Sequence, residues 1–285
     1  MPHPALTANR TAVITGGASG IGLAVAERLV GLGMNVCLAD QDEAALSEAA
    51  ATLAQSAKRG ADAVLAVPTD VSRVESVEAL REALLARFGE VALLMNNAGV
   101  GGGGAASQNL EGWRRVVGVN FWGVVHGLQV FTAGMIEQGT PCAIVNTGSK
   151  QGITNPPGDA AYNATKAAIK SVTESLAHQL RQTAGCRVSA HLLVPGFTYT
   201  GMIRRFAREK PAGAWWPAQV ADHLLAALER GDFYVICPDN DVSAETDRRR
   251  IAWTAGDMIE NRPAMSRWHP DYAAAFQAHM EKKRD

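Results

Sequence analysis

The chain of 285 residues carries 27 basic and 28 acidic side chains, a formal charge of −1, and 47% apolar residues. That balance excludes a field that would recruit nucleic acid or an anionic membrane, and the apolar content excludes a fibrous or disordered chain while sufficing for one large core. Cys37, Cys142, Cys186 and Cys237 lie far apart, without a Cys-x-x-Cys pair, each in or beside an apolar strand-like run; they read as buried reduced thiols. No metal-ligand spacing joins them to the histidines, so no metal is expected. Met1–Arg10 lacks the apolar stretch of a signal peptide, and no apolar run approaches the ~18 residues of a membrane span. The expectation is a cytoplasmic protein whose partner is a small molecule, with no nucleic acid and no membrane.

Short apolar runs alternate with helical patterns, as in an α/β parallel sheet covered on both faces. The first run, Thr11–Thr15, meets Gly16-Gly17-Ala18-Ser19-Gly20-Ile21-Gly22 and then a helix with Ile21, Val25, Leu29 and Leu32 on one face. Glycines at such a junction let backbone approach a pyrophosphate, and the helix N-terminus aims free N–H groups at it. A plain glycine turn between strand and helix is the alternative. The second run, Met34–Ala39, ends in Asp40, placed to bond the adenosine ribose hydroxyls and to repel the extra phosphate of NADP. Ser19 and Gln41 offer no cation for that phosphate, so NAD is the expected cofactor; otherwise Asp40 or Asp42 is an ordinary strand-end or helix-cap residue.

Helix-like Glu43–Arg59 leads to a third run, Ala63–Val67, closed by Pro68-Thr69-Asp70-Val71, and helix-like Val74–Phe88 follows. The fourth run, Val91–Met95, opens into Asn96-Asn97-Ala98-Gly99 and then Gly101–Gly104, a stretch that is either flexible or close to a ligand. His126, in the apolar helix Phe121–Phe131, and His191, in the strand Arg187–Val194, read as packed residues. The fifth run, Ala143–Thr147, leads to Ser149, and strand ends in such sheets face the ligand crevice. Tyr162 and Lys166 are four apart at the start of a helix, which puts the ammonium one turn from the phenol. A phenol with a pKa of about 10 is a poor base at neutral pH, and a nearby positive charge favours its anion.

In this order the motifs resemble the short-chain dehydrogenase/reductase family from Thr11 to about Thr200. The family's Thr-Gly-x-x-x-Gly-x-Gly loop falls on Thr15–Gly22, its adenine-contacting Asp on Asp70 beside Val71, and its Asn-Asn-Ala-Gly motif on Asn96, Asn97, Ala98 and Gly99. Its helix asparagine is Asn120, its serine, tyrosine and lysine are Ser149, Tyr162 and Lys166, and its Pro-Gly motif is Pro195-Gly196, followed by Thr198 and Thr200. The resemblance implies a single Rossmann-like, doubly wound domain with a seven-stranded parallel sheet, and dimers or tetramers formed through the helices carrying Asn120 and Tyr162. It also implies roles: Ser149 holds the substrate oxygen, and Tyr162 takes the alcohol proton as hydride leaves for the nicotinamide. Lys166 lowers the phenol pKa and holds the nicotinamide ribose. Asn120 anchors a proton-relaying water, or else it is a helix residue bonded to neighbouring backbone.

Specificity is expected from the loop after Gly99, the Gln151–Pro157 turn with Gln151 and Ile153, and the segment 201–217 with Met202, Ile203, Phe206, Trp215 and Trp216. That segment is either a mobile lid bounded by Gly201 and Pro217 or an amphipathic helix capping the domain. Arg204, Arg205, Arg208 and Lys210 read as a solvated face rather than an anion site. After the helix Pro217–Arg230 and the strand Phe233–Cys237, the main domain ends at residue 238 and residues 239–285 form a helical extension of it, too short for a core of its own. Ser243 caps a helix to about Glu260, and Pro270 opens a last one to Lys283. Trp253, Trp268, Tyr272 and Phe276 are available for burial. The extension either wraps a subunit partner or closes over the active site. Stretches such as Ser149–Thr154, Lys210–Trp215, Gly231–Tyr234, Cys237–Asn240 and Glu260–Pro270 resemble bacterial Cα-dehydrogenases of lignin-type β-aryl ethers, implying NAD-dependent oxidation of an aryl secondary alcohol to its ketone. The competing readings are the same chemistry on a hydroxy acid, sugar or cyclic alcohol, and a non-catalytic nucleotide-binding protein.

Overall fold

Seven strands, all parallel, stand in the order β3-β2-β1-β4-β5-β6-β7 in the computed structural model, which describes residues 3–281. They are β1 (Thr11–Thr15), β2 (Asn35–Asp40), β3 (Val64–Pro68), β4 (Leu93–Asn96), β5 (Cys142–Thr147), β6 (Val188–Val194) and β7 (Tyr234–Ile236). Every residue of the central strands β1, β4 and β5 is buried, which is why these runs are continuously apolar rather than alternating. The order reverses between β1 and β4. In a doubly wound sheet, the crevice for a ligand opens outside the strand C-termini at that reversal. It is there that the Gly16 turn, Asn97 and Ser149 meet.

On one face, α1 (Gly20–Gly31), α2 (Glu43–Ser56) and α9 (Pro217–Arg230) pack Val25, Leu29, Leu46, Leu53, Val220 and Leu224 over β1 and β4. On the other, α3 (Val74–Phe88), α5 (Gly123–Glu137) and α7 (Ala160–Gln182) bring Leu80, Leu84, Phe131, Ile169 and Leu176 onto β4, β5 and β6. Each such side chain, taken fully from water, contributes about 1.5–3 kcal/mol. Asp42, not Asp40, caps α2, accepting the Ala45 N–H at 3.0 Å. His126 and His191 are packed and hydrogen-bonded as expected: Nδ1 of His126 meets the Val71 carbonyl at 2.9 Å, and Nδ1 of His191 meets that of Asp232 at 2.8 Å. All four cysteines are free thiols, and only Cys186 escapes full burial.

Three expectations change. The expected helix from Phe121 is the second half of a continuous helix that begins at Leu110: α4 (Leu110–Val116), a π-helical turn (Val117–Trp122), then α5. By length and composition this 28-residue element passes for a membrane span, contrary to the sequence reading. It lies instead on the sheet, with Val116, Val124, Leu128, Phe131 and Met135 in the core. Second, the supposed lid is part fixed. Only Gly201–Arg204 is helical (α8), Lys210 Nζ donates to the Pro211 and Ala214 carbonyls, and Asn240 Nδ2 donates to the Ala212 carbonyl at 2.7 Å. The segment's first half is held too, by the Tyr199 hydroxyl, which donates to the Ala207 and Arg208 carbonyls, and leaves the Phe206 side chain 87% exposed.

Third, the extension folds back on its own chain. Ser243 caps α10 (Ala244–Ile259), accepting the Thr246 N–H at 3.1 Å, and α10 packs against α6 (Gln151–Thr154). Of its aromatics only Trp253 is buried, its indole N–H on Ser266 Oγ at 2.8 Å and the Arg262 guanidinium 4.0 Å above its ring. Trp268 stays 38% exposed. The described residues end in α11 (Ala273–Glu281); the expected end at Lys283 lies outside them.

Candidate active site

The glycine turn is built for close approach. Gly16 and Gly20 have φ of +64° and +57°, and a Cβ on Gly22 would fall 2.3 Å from the Gly16 carbonyl oxygen, so only glycine fits. Ser19, exposed, stands at the N-cap of the 12-residue α1 and Ile21 in its first turn. Thr15 Oγ1 accepts the N–H groups of Asn97 (2.9 Å) and Ala98 (3.2 Å), while Asn97 Nδ2 donates to the Thr15 and Gly16 carbonyls. These bonds lock the Asn97-Ala98-Gly99 strand end to the turn, one wall to the other. Asp40 bends back over the turn, its Oδ2 accepting the Ala18 N–H at 3.2 Å. Asp70 Oδ1 accepts from Ser72 N–H and Oγ, and Val71 is buried beneath Gly123.

The opposite side carries the candidate catalytic side chains. Asp159 caps α7 by accepting the Tyr162 N–H at 3.1 Å, placing Tyr162 and Lys166 in the first two turns. Lys166 is buried, its Nζ donating to the Thr147 carbonyl at 2.8 Å and standing 5.5 Å from the Tyr162 ring centre. Burial without a carboxylate partner holds its ammonium pKa down, at about 8. Tyr162 is half-buried, and burial pushes its phenol up; the Ser149 hydroxyl, hydrogen-bonded to it, pulls down and Asp159 pushes further up. Burial, the largest influence, sets the direction of the phenol's shift. Ser149 Oγ also accepts the Gln151 N–H at 3.2 Å.

Asn120 takes up the backbone-bonded arrangement, one of its two expected alternatives. Its side chain is fully buried and fully engaged: Oδ1 accepts the Val100 N–H at 2.8 Å, and Nδ2 donates to the Val100 carbonyl (2.9 Å) and Thr165 Oγ1 (3.2 Å). The amide fastens the Gly99 loop to α7, the backbone-bonded alternative of the sequence reading. Asn120 sits within the π-helical turn, an irregularity frequent at functional sites. A Cβ on Gly99 would lie 3.5 Å from Asn120 Oδ1 and 3.6 Å from Lys166 Nζ, so the three converge.

Across the crevice, Pro195 and Gly196 follow β6, and the Pro195 carbonyl accepts the Lys150 N–H at 3.4 Å. Thr198 is buried and bridged to Trp215, while the Thr200 methyl lies 3.3 Å from the site a Cβ would take on Gly20. Thr200 thus borders the phosphate turn. Among the substrate candidates, Gln151 is exposed at the start of α6, Ile153 packs partly into the core, and the Met202 sulphur would lie 3.6 Å from a Cβ on Gly101. Trp215 packs on the other core and on His223, so it backs the segment rather than lining the crevice. Phe206 points to solvent. Arg204, Arg205 and Arg208 are exposed, as expected of a solvated face.

Residues absent from the sequence reading do much of the positioning. Asp159 Oδ2 accepts the N–H groups of Gly102 (2.6 Å) and Gly103 (3.2 Å), so the glycine run is clamped to the catalytic helix rather than loose. An acid three residues before Tyr162 is a helix-cap signal that could have found it. Thr147 and Asn163 also belong here, the latter holding the Asn155–Pro156 turn through its Nδ2 at 3.1 and 2.7 Å. The arrangement fits an adenine dinucleotide: a glycine cradle at a helix N-terminus, an acid over it for a ribose, and a cation and a phenol at its far end.

Residues 10–211 match the family model for short chain dehydrogenases. The chain is 38% identical over 207 residues (72% of this chain, 73% of the relative) to 1-deoxy-11-beta-hydroxypentalenate dehydrogenase of Streptomyces exfoliatus. It is 33% identical over 202 residues (70% and 75%) to 3beta-hydroxysteroid dehydrogenase 2 of Eggerthella lenta. A short chain dehydrogenase/reductase from Burkholderia phymatum, crystallised in complex with NAD, superposes with a TM-score of 0.81 at 35% identity, covering 90% of this chain and 96% of that one. A match running unbroken from the phosphate turn past the catalytic helix makes this chain a member of the short-chain dehydrogenase family, an oxidoreductase acting on CH–OH groups.

Proposed function

We propose that the protein uses NAD to oxidise a bulky secondary alcohol, an aryl (benzylic) carbinol, reversibly to its ketone. The observation that carries the reaction is the convergence of Ser149, Tyr162 and Lys166 beside a phosphate turn over which Asp40 is folded. Ser149 Oγ holds the substrate oxygen against the phenol. Tyr162 accepts the alcohol proton as its phenolate, the form that the Lys166 charge and the positive ring of bound NAD would favour against the burial that raises the phenol, and in the reverse direction the neutral phenol returns it. Bound NAD supplies the hydride acceptor and a positive ring charge. Lys166 contributes a cation within reach of both phenol and ribose, and the fixed Thr147 carbonyl orients it. Asp40, with no basic residue among Ala18, Ser19 and Gln41, selects NAD over NADP by repulsion.

The aryl preference rests on the resemblance of the 210–270 stretches and on the apolar Met202 against the Gly101 loop. A cyclic alcohol is the second reading, favoured by relatives named for a hydroxysteroid and a hydroxypentalenate. We further read the protein as cytoplasmic and as a homodimer or homotetramer: Leu110 and Trp122, 65% and 48% exposed on the Asn120 helix, suit a subunit contact. The test is a panel of 1-aryl alcohols, alicyclic alcohols and small hydroxy acids with NAD, followed by NADH absorbance. Highest kcat/KM on 1-aryl alcohols is expected; faster turnover of aliphatic hydroxy acids would overturn the substrate class.

A further inference from the structure

Lys150 follows Ser149 directly, yet its ammonium is engaged with the C-terminal extension. Nζ lies 2.7 Å from Asp247 Oδ2, on α10, and 3.4 Å from Asp239 Oδ2, just beyond β7. All three side chains are nearly out of solvent, at 17%, 6% and 5% exposure. The same Asp239 Oδ2 accepts the Phe197 N–H at 3.1 Å, and Asp239 Oδ1 accepts the Val242 N–H at 2.8 Å. Gly196 is pinned beneath the pair: a Cβ there would lie 2.7 Å from Asp239 Oδ2 and 2.9 Å from Lys150 Nζ. One buried cluster thus joins the segment after Ser149, the Pro195–Phe197 loop and the extension.

Such a cluster is a poor source of stability. Removing charges from water costs about as much as their attraction returns, and apolar groups of equal volume commonly do better; the best-attested use of buried charge is to fix one register. Here one bridging ammonium faces two carboxylates, with Arg250 a weaker cation near Asp247, and burial pushes the Asp247 carboxyl upward. The cluster lies where register matters, because Lys150 sets the start of α6: its carbonyl accepts the Ile153 and Thr154 N–H groups at 3.0 Å. A Cβ on Gly152 would in turn lie 2.4 Å from the Lys166 carbonyl carbon, so α6 sits directly on the catalytic helix.

We infer that the Lys150–Asp239–Asp247 bridge makes the C-terminal extension a working part of the active site, with Lys150 a positioning residue that sets Ser149 and the Gly196–Phe197 loop against the cofactor. This deepens, and rests on, the dehydrogenase reading above. The test uses full-length Lys150→Met, Lys150→Arg and Asp247→Asn, with Trp253→Phe as a variant that loosens the extension away from the bridge. Turnover of the best panel alcohol, NADH affinity by fluorescence, and Tm are measured on each. Misplacement of reacting groups by ~1 Å can cost about 100-fold; Lys150→Met and Asp247→Asn are expected to lose about tenfold or more in kcat and to weaken NADH at least about threefold. Lys150→Arg recovers most of both, and Trp253→Phe lowers Tm with kcat within about twofold of the parent. Lys150→Met with unchanged kcat and NADH affinity overturns the inference, as does a Trp253→Phe loss of kcat as large as that of Asp247→Asn. A parent protein that turns over nothing overturns the functional reading instead, and NADH affinity across the variants then decides the bridge alone.

Discussion

Replacing Lys166 by Met tests whether this protein holds an uncompensated charge in its core for the sake of its reaction. The ammonium is buried with one neutral partner, the Thr147 carbonyl, and its pKa falls from 10.5 to about 8. The linkage is direct. Below pH 8 both folded and unfolded forms are protonated, and the folded form bears the whole penalty, about 3 kcal/mol for a pKa lowered from 10.5 to about 8. From pH 8 to 10.5 the folded lysine loses its proton while the unfolded one keeps it, and the penalty fades. Burial raises the neighbouring phenol, so Tyr162 stays neutral over the lower part of this window. Lys166→Met removes the titration at every pH, along with the pH-independent bond to Thr147, worth about 1 kcal/mol. Scanned by circular dichroism without cofactor from pH 7 to 10, parent and variant should converge, the parent gaining on the variant by roughly 5–10 °C, at about 2–4 °C per kcal/mol. Turnover should be abolished throughout. A Tm difference that does not change with pH would refute the charged, uncompensated lysine.

Tyr162→Phe should lose at least about 10³-fold in kcat, at the upper end of a general base's contribution, with NADH affinity near that of the parent; near-normal turnover would remove the phenol from the mechanism. Asp159→Asn takes away the charge that pushes the Tyr162 phenol up, so the rising limb of the kcat–pH profile for alcohol oxidation should move to lower pH. An unmoved limb would mean that Asp159 acts as a cap and clamp alone. Asp40→Ala, which removes the acid folded over the turn, should narrow the NAD/NADP ratio of kcat/KM by at least about tenfold, or roughly 1.4 kcal/mol. An equal ratio in parent and variant would show that something else selects the cofactor. Phe131→Ala, deep in the sheet-facing side of α5, should cost about 3–5 kcal/mol of stability, measured as a fall in the denaturation midpoint.

What could be foreseen had a local signature. The parallel sheet was legible because strands buried on both faces leave continuous apolar runs, and the phosphate turn because glycine, strand and helix occur together in a fixed order. The proximity of Ser149, Tyr162 and Lys166, the proposed catalytic trio, was legible through its motif spacing. Asp159, Lys150 and Asp239 were not, because their roles depend on contacts 57 and 89 residues away: Asp159 to Gly102, Lys150 to Asp239. An exposed helix cap or a surface lysine has the same local sequence. The long apolar helix misled for a related reason, since its polar interruptions at Arg114, Arg115 and Asn120 do not mark where α4 gives way to α5. The sequence leaves Asn120 between a water anchor and a backbone-bonded helix residue, and only the three-dimensional neighbourhood shows its amide tied to Val100 and Thr165.

The π-helical turn at Val117–Trp122 has a bearing on protein engineering. In a regular helix, residues four apart drift about 40° round the axis at each step, so a run of three such steps leaves the face it began on. Here Val116, Asn120, Val124 and Leu128, spaced by four throughout, are all buried, because the wider turn accommodates the extra residue. The element therefore carries a one-residue surplus in mid-helix. Deleting Gly118 or Val119 would yield a tidier helix by itself, yet it would swing every side chain of α4 by about 100° relative to α5, taking Val116 off the core. Length variation, ordinarily confined to loops, is here written into the interior, and indel scanning of residues 117–119 should find them as intolerant of shortening as any core substitution.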